Sequence, residues 1–92
     1  MKAQRFDSVW DALEDTPQEA ENMKIRSGLM MAISDHLEKS AGTQAAKAKQ
    51  LGITQPRLND LLKGRINKFS LDALVTIAVN AGLNVMLHAQ AA

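Results

Sequence analysis

The apolar positions of the chain keep a helical rhythm from Pro17 to Ala81 and an alternating one after Gly82. Ile25, Leu29, Ile33 and Leu37 recur every fourth residue, widened by Met23, Met30 and Ala32, as in a helix with one buried face. Thr16-Pro17-Gln18-Glu19 opens that helix, since it sets a glutamate three residues after a capping threonine and proline at the first helical position. The helix is predicted to run to Ala41, with Gly42 as its stop. Gly28 lies inside it at a cost of about 1 kcal/mol relative to alanine. Nothing in the sequence explains that glycine.

Two short helices follow. Thr43 caps one that ends at Gly52. Thr54 caps the other, with Pro56 in its first turn, where the N–H that proline lacks has no intrahelical partner. With Leu58, Leu61 and Leu62 on the buried side, at about 100° per residue, Pro56, Asp60 and Lys63 turn outward. Arg57 and Asn59 flank them, and Gln55 stands at the tip. Lys47 falls at the fourth helical position after Thr43, and its stem is expected along the helix-pair surface with the ammonium in water or on a phosphate. Beyond Gly64, Ile66 and Phe69 anchor a loop. Ser70 then caps a helix over Leu71–Ala81 that buries Leu74, Val75, Ile77 and Ala78, and Phe69 can staple onto Leu74. At the other end, Asp7 or Ser8 caps a short helix through Leu13, with Phe6, Val9, Trp10 and Leu13 as its apolar contacts.

The last stretch changes period. Leu83, Val85, Leu87 and Ala89 alternate with Asn84, Met86 and His88, the pattern of a strand. No second strand is predicted in the chain, so its backbone groups need a partner from outside. A second copy across a two-fold axis is the economical one. Leu83, Val85, Met86, Leu87 and His88 are the expected dimer interface.

The resulting expectation is an all-α single domain of four to five helices: a short helix in residues 1–15, a helical core over 16–82 and a strand and tail over 83–92. At 92 residues the chain can build a modest core without staples, and its lack of cysteine rules out disulfides and cysteine zinc sites. With two histidines and no cysteine, neither a metal site nor a cofactor is expected. His36 reads as exposed and the methionines as core filling. No apolar run approaches the roughly 20 residues of a membrane helix, and Met1–Ser8 lacks the apolar centre of a signal peptide, so the expected compartment is the cytoplasm.

Charge is unevenly spread. Residues 39–68 hold seven basic side chains against Asp60 alone, a net of +6, whereas residues 1–38 hold four basic and eight acidic ones, a net of −4. A basic segment inside a near-neutral chain is the footprint of a phosphate-binding face. The outward face of the second short helix fits a major groove, where Gln55, Pro56, Arg57, Asn59 and Asp60 are the base-reading candidates. Gln suits adenine, Arg suits guanine and Pro56 a thymine methyl, while Asp60 either accepts from cytosine or holds Arg57. Thr43, Gln44, Thr54, Lys63, Arg65, Asn67 and Lys68 are the phosphate-contact candidates. A solvated amphipathic helix pair is the blander reading of the same pattern, and it is the local charge that favours DNA. The acidic cluster Asp11, Glu14, Asp15, Glu19 and Glu21 would repel DNA and reads as a solvated face turned away from it.

The run T-Q-A-x-x-A-x-x-L-G-I-T-Q-x-x-L over residues 43–58, followed by Lys63-Gly64, resembles the XRE (Cro/repressor-type) helix-turn-helix family. S-V-W-D-A-L over 8–13, T-Q-P-R over 54–57 and F-S-L-D-x-L over 69–74 make the chain similar to small HigA-type antitoxin-like members. Lys47 departs from the pattern, which usually has an apolar or small residue there. The resemblance implies a repressor-like DNA-binding domain with its helix-turn-helix at 43–63. It also implies an antitoxin that represses its own operon and neutralises a toxin protein, with Phe6 and Trp10 as the candidate toxin-facing residues. Trp10 also reads as a packing anchor. The alternatives are an antitoxin acting mainly by neutralising a toxin enzyme, or a stand-alone phage-like repressor without a toxin partner. No nucleophile motif, glycine-rich phosphate loop or histidine–carboxylate arrangement points to an enzyme. The basic segment has only Phe69 for stacking, which disfavours single-stranded nucleic acid.

Overall fold

Each helix begins where a hydroxyl is available to cap it. The computed structural model describes residues 16–91; the expected helix carrying Phe6 and Trp10 lies outside the described residues. Four helices are present among them: α1 (Pro17–Glu38), α2 (Gln44–Leu51), α3 (Gln55–Leu62) and α4 (Leu71–Asn80), with a 3-10 turn at Ile66–Lys68 before α4. The side-chain oxygens of Thr16, Thr43, Thr54 and Ser70 accept from the backbone N–H groups of Glu19, Ala46, Arg57 and Ala73, at 3.1 to 3.2 Å. Each such cap satisfies one of the orphan donors of a helix start.

The end of α1 comes earlier than expected, at Glu38 rather than Ala41. Ser40 folds its hydroxyl onto the His36 carbonyl at 2.8 Å and its N–H onto Leu37 O at 3.1 Å. Lys47 Nζ, reaching over from α2, donates to the same Leu37 carbonyl at 2.9 Å. The ammonium expected in water or on a phosphate is instead a helix C-cap supplied by another helix, where a cation also suits the helix dipole.

The inner stripe of α1 is Ala20, Met23, Met30, Ile33 and Leu37, all buried. Ile25 and Leu29 are only half-buried, Ala32 is exposed, and His36 is half-buried rather than exposed. Steps of four residues drift about 40° each around a helix, so Ile25 stands about 120° from Leu37 and leaves the core. Phe69, Ile33, Leu51, Leu58, Leu61 and Leu74 are the largest fully buried side chains. They join α1 and α4 to the α2–α3 pair in one core, on which the half-buried Leu62, Ile66 and Leu83 pack. No polar residue is buried among the described residues.

The expected strand does not form within the chain. After Leu83 N–H bonds Ala78 O at 3.0 Å, the backbone of residues 84–91 makes no hydrogen bond among the described residues. A strand exists by pairing, and the described residues offer this segment no edge to pair with. Val85, Met86 and Leu87 stand exposed beside an open groove of about 430 Å³, lined also by Ile25, Gly28, Leu29 and Val75.

Gly28 is exposed on that groove, and a Cβ placed there meets nothing within 4 Å. Gly28→Ala should therefore stabilise the fold by about 1 kcal/mol, through helix propensity and a smaller unfolded ensemble. In a thermal melt that is a rise of roughly 4–8 °C. A lowered melting temperature would mean that some other surface already lies against Gly28.

Candidate nucleic-acid interface

Between α2 and α3 the chain turns through Gly52, at φ 73°. Its N–H reaches Lys49 O at 3.1 Å, and Ile53 N–H reaches Ala48 O at 3.0 Å, which closes the end of α2. A side chain at Gly52 would be strained by that φ, and its Cβ would lie 3.5 Å from Asn80 Nδ2. Asn80, the last residue of α4, donates to Leu51 O at 3.0 Å, so α4 fixes the turn from outside.

On α3, Leu58 and Leu61 point into the core and Leu62 is half-buried. Gln55, Pro56, Asn59 and Lys63 are exposed, and the side chains of Gln55 and Asn59 make no hydrogen bond among the described residues. Arg57 and Asp60 behave differently. The Arg57 guanidinium lies over the Phe69 ring, 4.3 Å from its centroid, and donates to Lys68 O at 3.1 Å. Asp60 does not hold Arg57. Its Oδ1 accepts from Arg65 Nη1 at 3.1 Å. The reason is the turn after α3: Gly64 (φ 72°) reverses the chain and returns Arg65 N–H to Asp60 O at 3.0 Å, which brings its guanidinium within reach.

The loop carrying Arg65, Asn67 and Lys68 is thus fastened to α3 twice, through Arg57 and through Asp60. A third fastening comes from α1. Arg26 donates to Phe69 O at 3.0 Å and to Ile66 O at 3.5 Å, and Asn22 Oδ1, 2.7 Å from its Nε, orients it. Sequence reasoning passed over Arg26, although the period contained it: positions 23, 26, 30, 33 and 37 alternate steps of three and four. A cation on that inner stripe needs acceptors. The loop carbonyls supply them.

Of the phosphate-contact candidates, Thr43 and Thr54 sit at the starts of α2 and α3, where each hydroxyl accepts a capping bond and keeps its proton to donate. Gln44, Lys63, Asn67 and Lys68 are exposed, with side chains that make no hydrogen bond among the described residues. Arg65 is exposed too, with one of its N–H groups on Asp60. Among the described residues no helix is long and apolar enough to cross a membrane, and no cluster of acidic or histidine side chains is placed to hold a metal.

Two capped helices joined by a glycine turn, the second with an uncovered polar face, form a helix-turn-helix. A family model described as a helix-turn-helix domain matches residues 12–90. The chain belongs to that family. A comparison with curated proteins finds no match. Family membership supports a DNA-binding regulator.

Proposed function

We propose that this helix-turn-helix domain is a sequence-specific regulator that binds double-stranded DNA with α3 in the major groove. The observation behind it is the outward face of α3, where Gln55 and Asn59 stand unbonded beside a basic loop fastened to the same helix. Either amide can pair bidentately with adenine, and Pro56 can touch a thymine methyl. Lys63, Arg65, Asn67 and Lys68, with Thr43, Gln44 and Thr54, set the register on the phosphates. Arg57 would have to leave both the Phe69 ring and the Lys68 carbonyl to read a guanine, so its role here is to position the loop.

Random double-stranded fragments retained by the protein at physiological salt should converge on one motif, and retention of unrelated sequences would overturn the reading. On that motif, Gln55→Ala and Asn59→Ala should each cost about 1–3 kcal/mol of discrimination at particular base pairs. Lys68→Ala should weaken binding to all DNA alike and lower the salt slope by about one. Arg57→Ala should also weaken all sequences alike. Altered base preference in that variant would return Arg57 to the reading face.

The regulator is a homodimer in this proposal, joined through residues 83–89. The unpaired backbone of residues 84–89 and the exposed Val85, Met86 and Leu87 support a second copy as the occupant, since it offers the same unpaired edge. Two copies would meet half-sites spaced by about 34 Å or a multiple of it. Val85→Asp should give a monomer by sedimentation and lose most of the affinity for a two-half-site operator. A monomeric parent chain at micromolar concentration would exclude this interface.

A protein partner is a second, compatible role, in which the regulator is an antitoxin that represses its own operon. Residues 1–38 carry a net −4 together with Phe6 and Trp10, a composition suited to a basic protein. Removing residues 1–15 should abolish capture of the neighbouring gene's product while operator affinity stays. Full capture by the shortened protein would rule out this surface as the toxin site.

A further inference from the structure

Asp60 is the one carboxylate between Lys39 and Leu71, a stretch that otherwise carries only positive charge. By helical position it belongs to the outward face of α3, so it approaches DNA with the wrong sign. It also presents acceptors where most of the major groove presents acceptors too: guanine O6 and N7, adenine N7 and thymine O4. Such a residue lowers affinity wherever it meets no donor. The structure supplies a partial remedy. Arg65 Nη1 neutralises Oδ1 at 3.1 Å, and the backbone bond from Arg65 N–H to Asp60 O at 3.0 Å holds the two residues together independently of their charges. The Asp60 side chain is 20% exposed and that of Arg65 51%, so the acid keeps an opening to solvent while the cation reaches well beyond it.

We infer that Asp60 is a specificity-determining residue that selects cytosine by penalising the alternatives, and that Arg65 links it to a phosphate. This rests on the reading of α3 as a DNA-recognition helix. With one carboxylate oxygen held by Arg65, the other is left for a base donor. The edge that suits an acceptor-only group is cytosine, whose own major-groove edge carries the N4 amino donor and no acceptor; adenine sets N7 next to its donor and suits an amide instead. Arg65 keeps N–H groups that Asp60 does not use, and these can take the phosphate flanking that base. A base without a donor leaves the carboxylate repelled, and its repulsion counts against the complex.

The test uses the full chain, Asp60→Asn, and measures random-DNA affinity, salt slope and selected sequence. Asparagine keeps the shape and removes the charge. Affinity for random DNA should rise several-fold, and the salt slope should steepen by up to about one as the charge of Arg65 is no longer offset by Asp60. At one position of the selected motif, preference for cytosine should fall about 5- to 100-fold and shift towards adenine. A second pair of variants separates the linkage from plain phosphate binding. Arg65→Ala should weaken random-DNA binding more than Lys68→Ala does, because it uncovers Asp60, and Asp60→Asn in the same chain should return it to the Lys68→Ala level. The ion pair is solvent-facing and its loss costs the fold little, which thermal melts of the variants would verify. If the parent chain selects a motif and Asp60→Asn selects the same one with unchanged random-DNA affinity, the inference fails and the DNA-binding reading stands. If the parent chain selects no motif, both fall.

Discussion

The position of the loop after α3 depends on one buried ring. Phe69 is 1% exposed, and three elements meet around it: the core receives its side chain, Arg26 of α1 takes its carbonyl, and Arg57 of α3 covers its ring. Burial of a phenylalanine side chain contributes on the order of 1.5–3 kcal/mol, more than a solvent-facing hydrogen bond supplies. The ring therefore sets where the loop must be, and the two arginines set how it lies. Without the ring, Arg57 would lose its stacking partner, and the stretch carrying Asn67 and Lys68 would lose its anchor between α3 and α4.

Much of this architecture was legible because it is local. Thr16, Thr43, Thr54 and Ser70 announce helix starts through bonds that span three residues, and Gly52 announces a stop through its own backbone freedom. The leucines of α3 reveal which face is left over. The family match over residues 12–90 agrees with the helix-turn-helix that those signals spell out.

What escaped the sequence is contact across the chain. Arg26 meets Phe69 over 43 positions, Asn80 meets Leu51 over 29, and Lys47 meets Leu37 over ten, each as a charged or amide donor on a backbone carbonyl. Such bonds leave no trace in periodicity, because any carbonyl can accept them. Asp60 shows the same limit. Spacing offered Arg57 as its partner, and the reversal at Gly64 brought in Arg65. The alternation after Gly82 was readable as strand-forming, yet a ladder needs two edges, and the described residues supply no second one.

The acceptors that hold the loop have a consequence for how this domain can diversify. Ile66, Lys68 and Phe69 are gripped by their main-chain oxygens, which every amino acid possesses. The course of the loop is therefore nearly indifferent to the side chains at 67 and 68, while those same side chains point outward. Substitutions there can accumulate without unsettling the scaffold, so under the proposed function a gene copy can drift in how it grips a duplex before it changes which one it prefers. Position 65 is the exception, tied by its guanidinium to α3. On the reading of α3 proposed above, grip and preference are coupled through that residue, and a lineage that altered it would have to adjust both together.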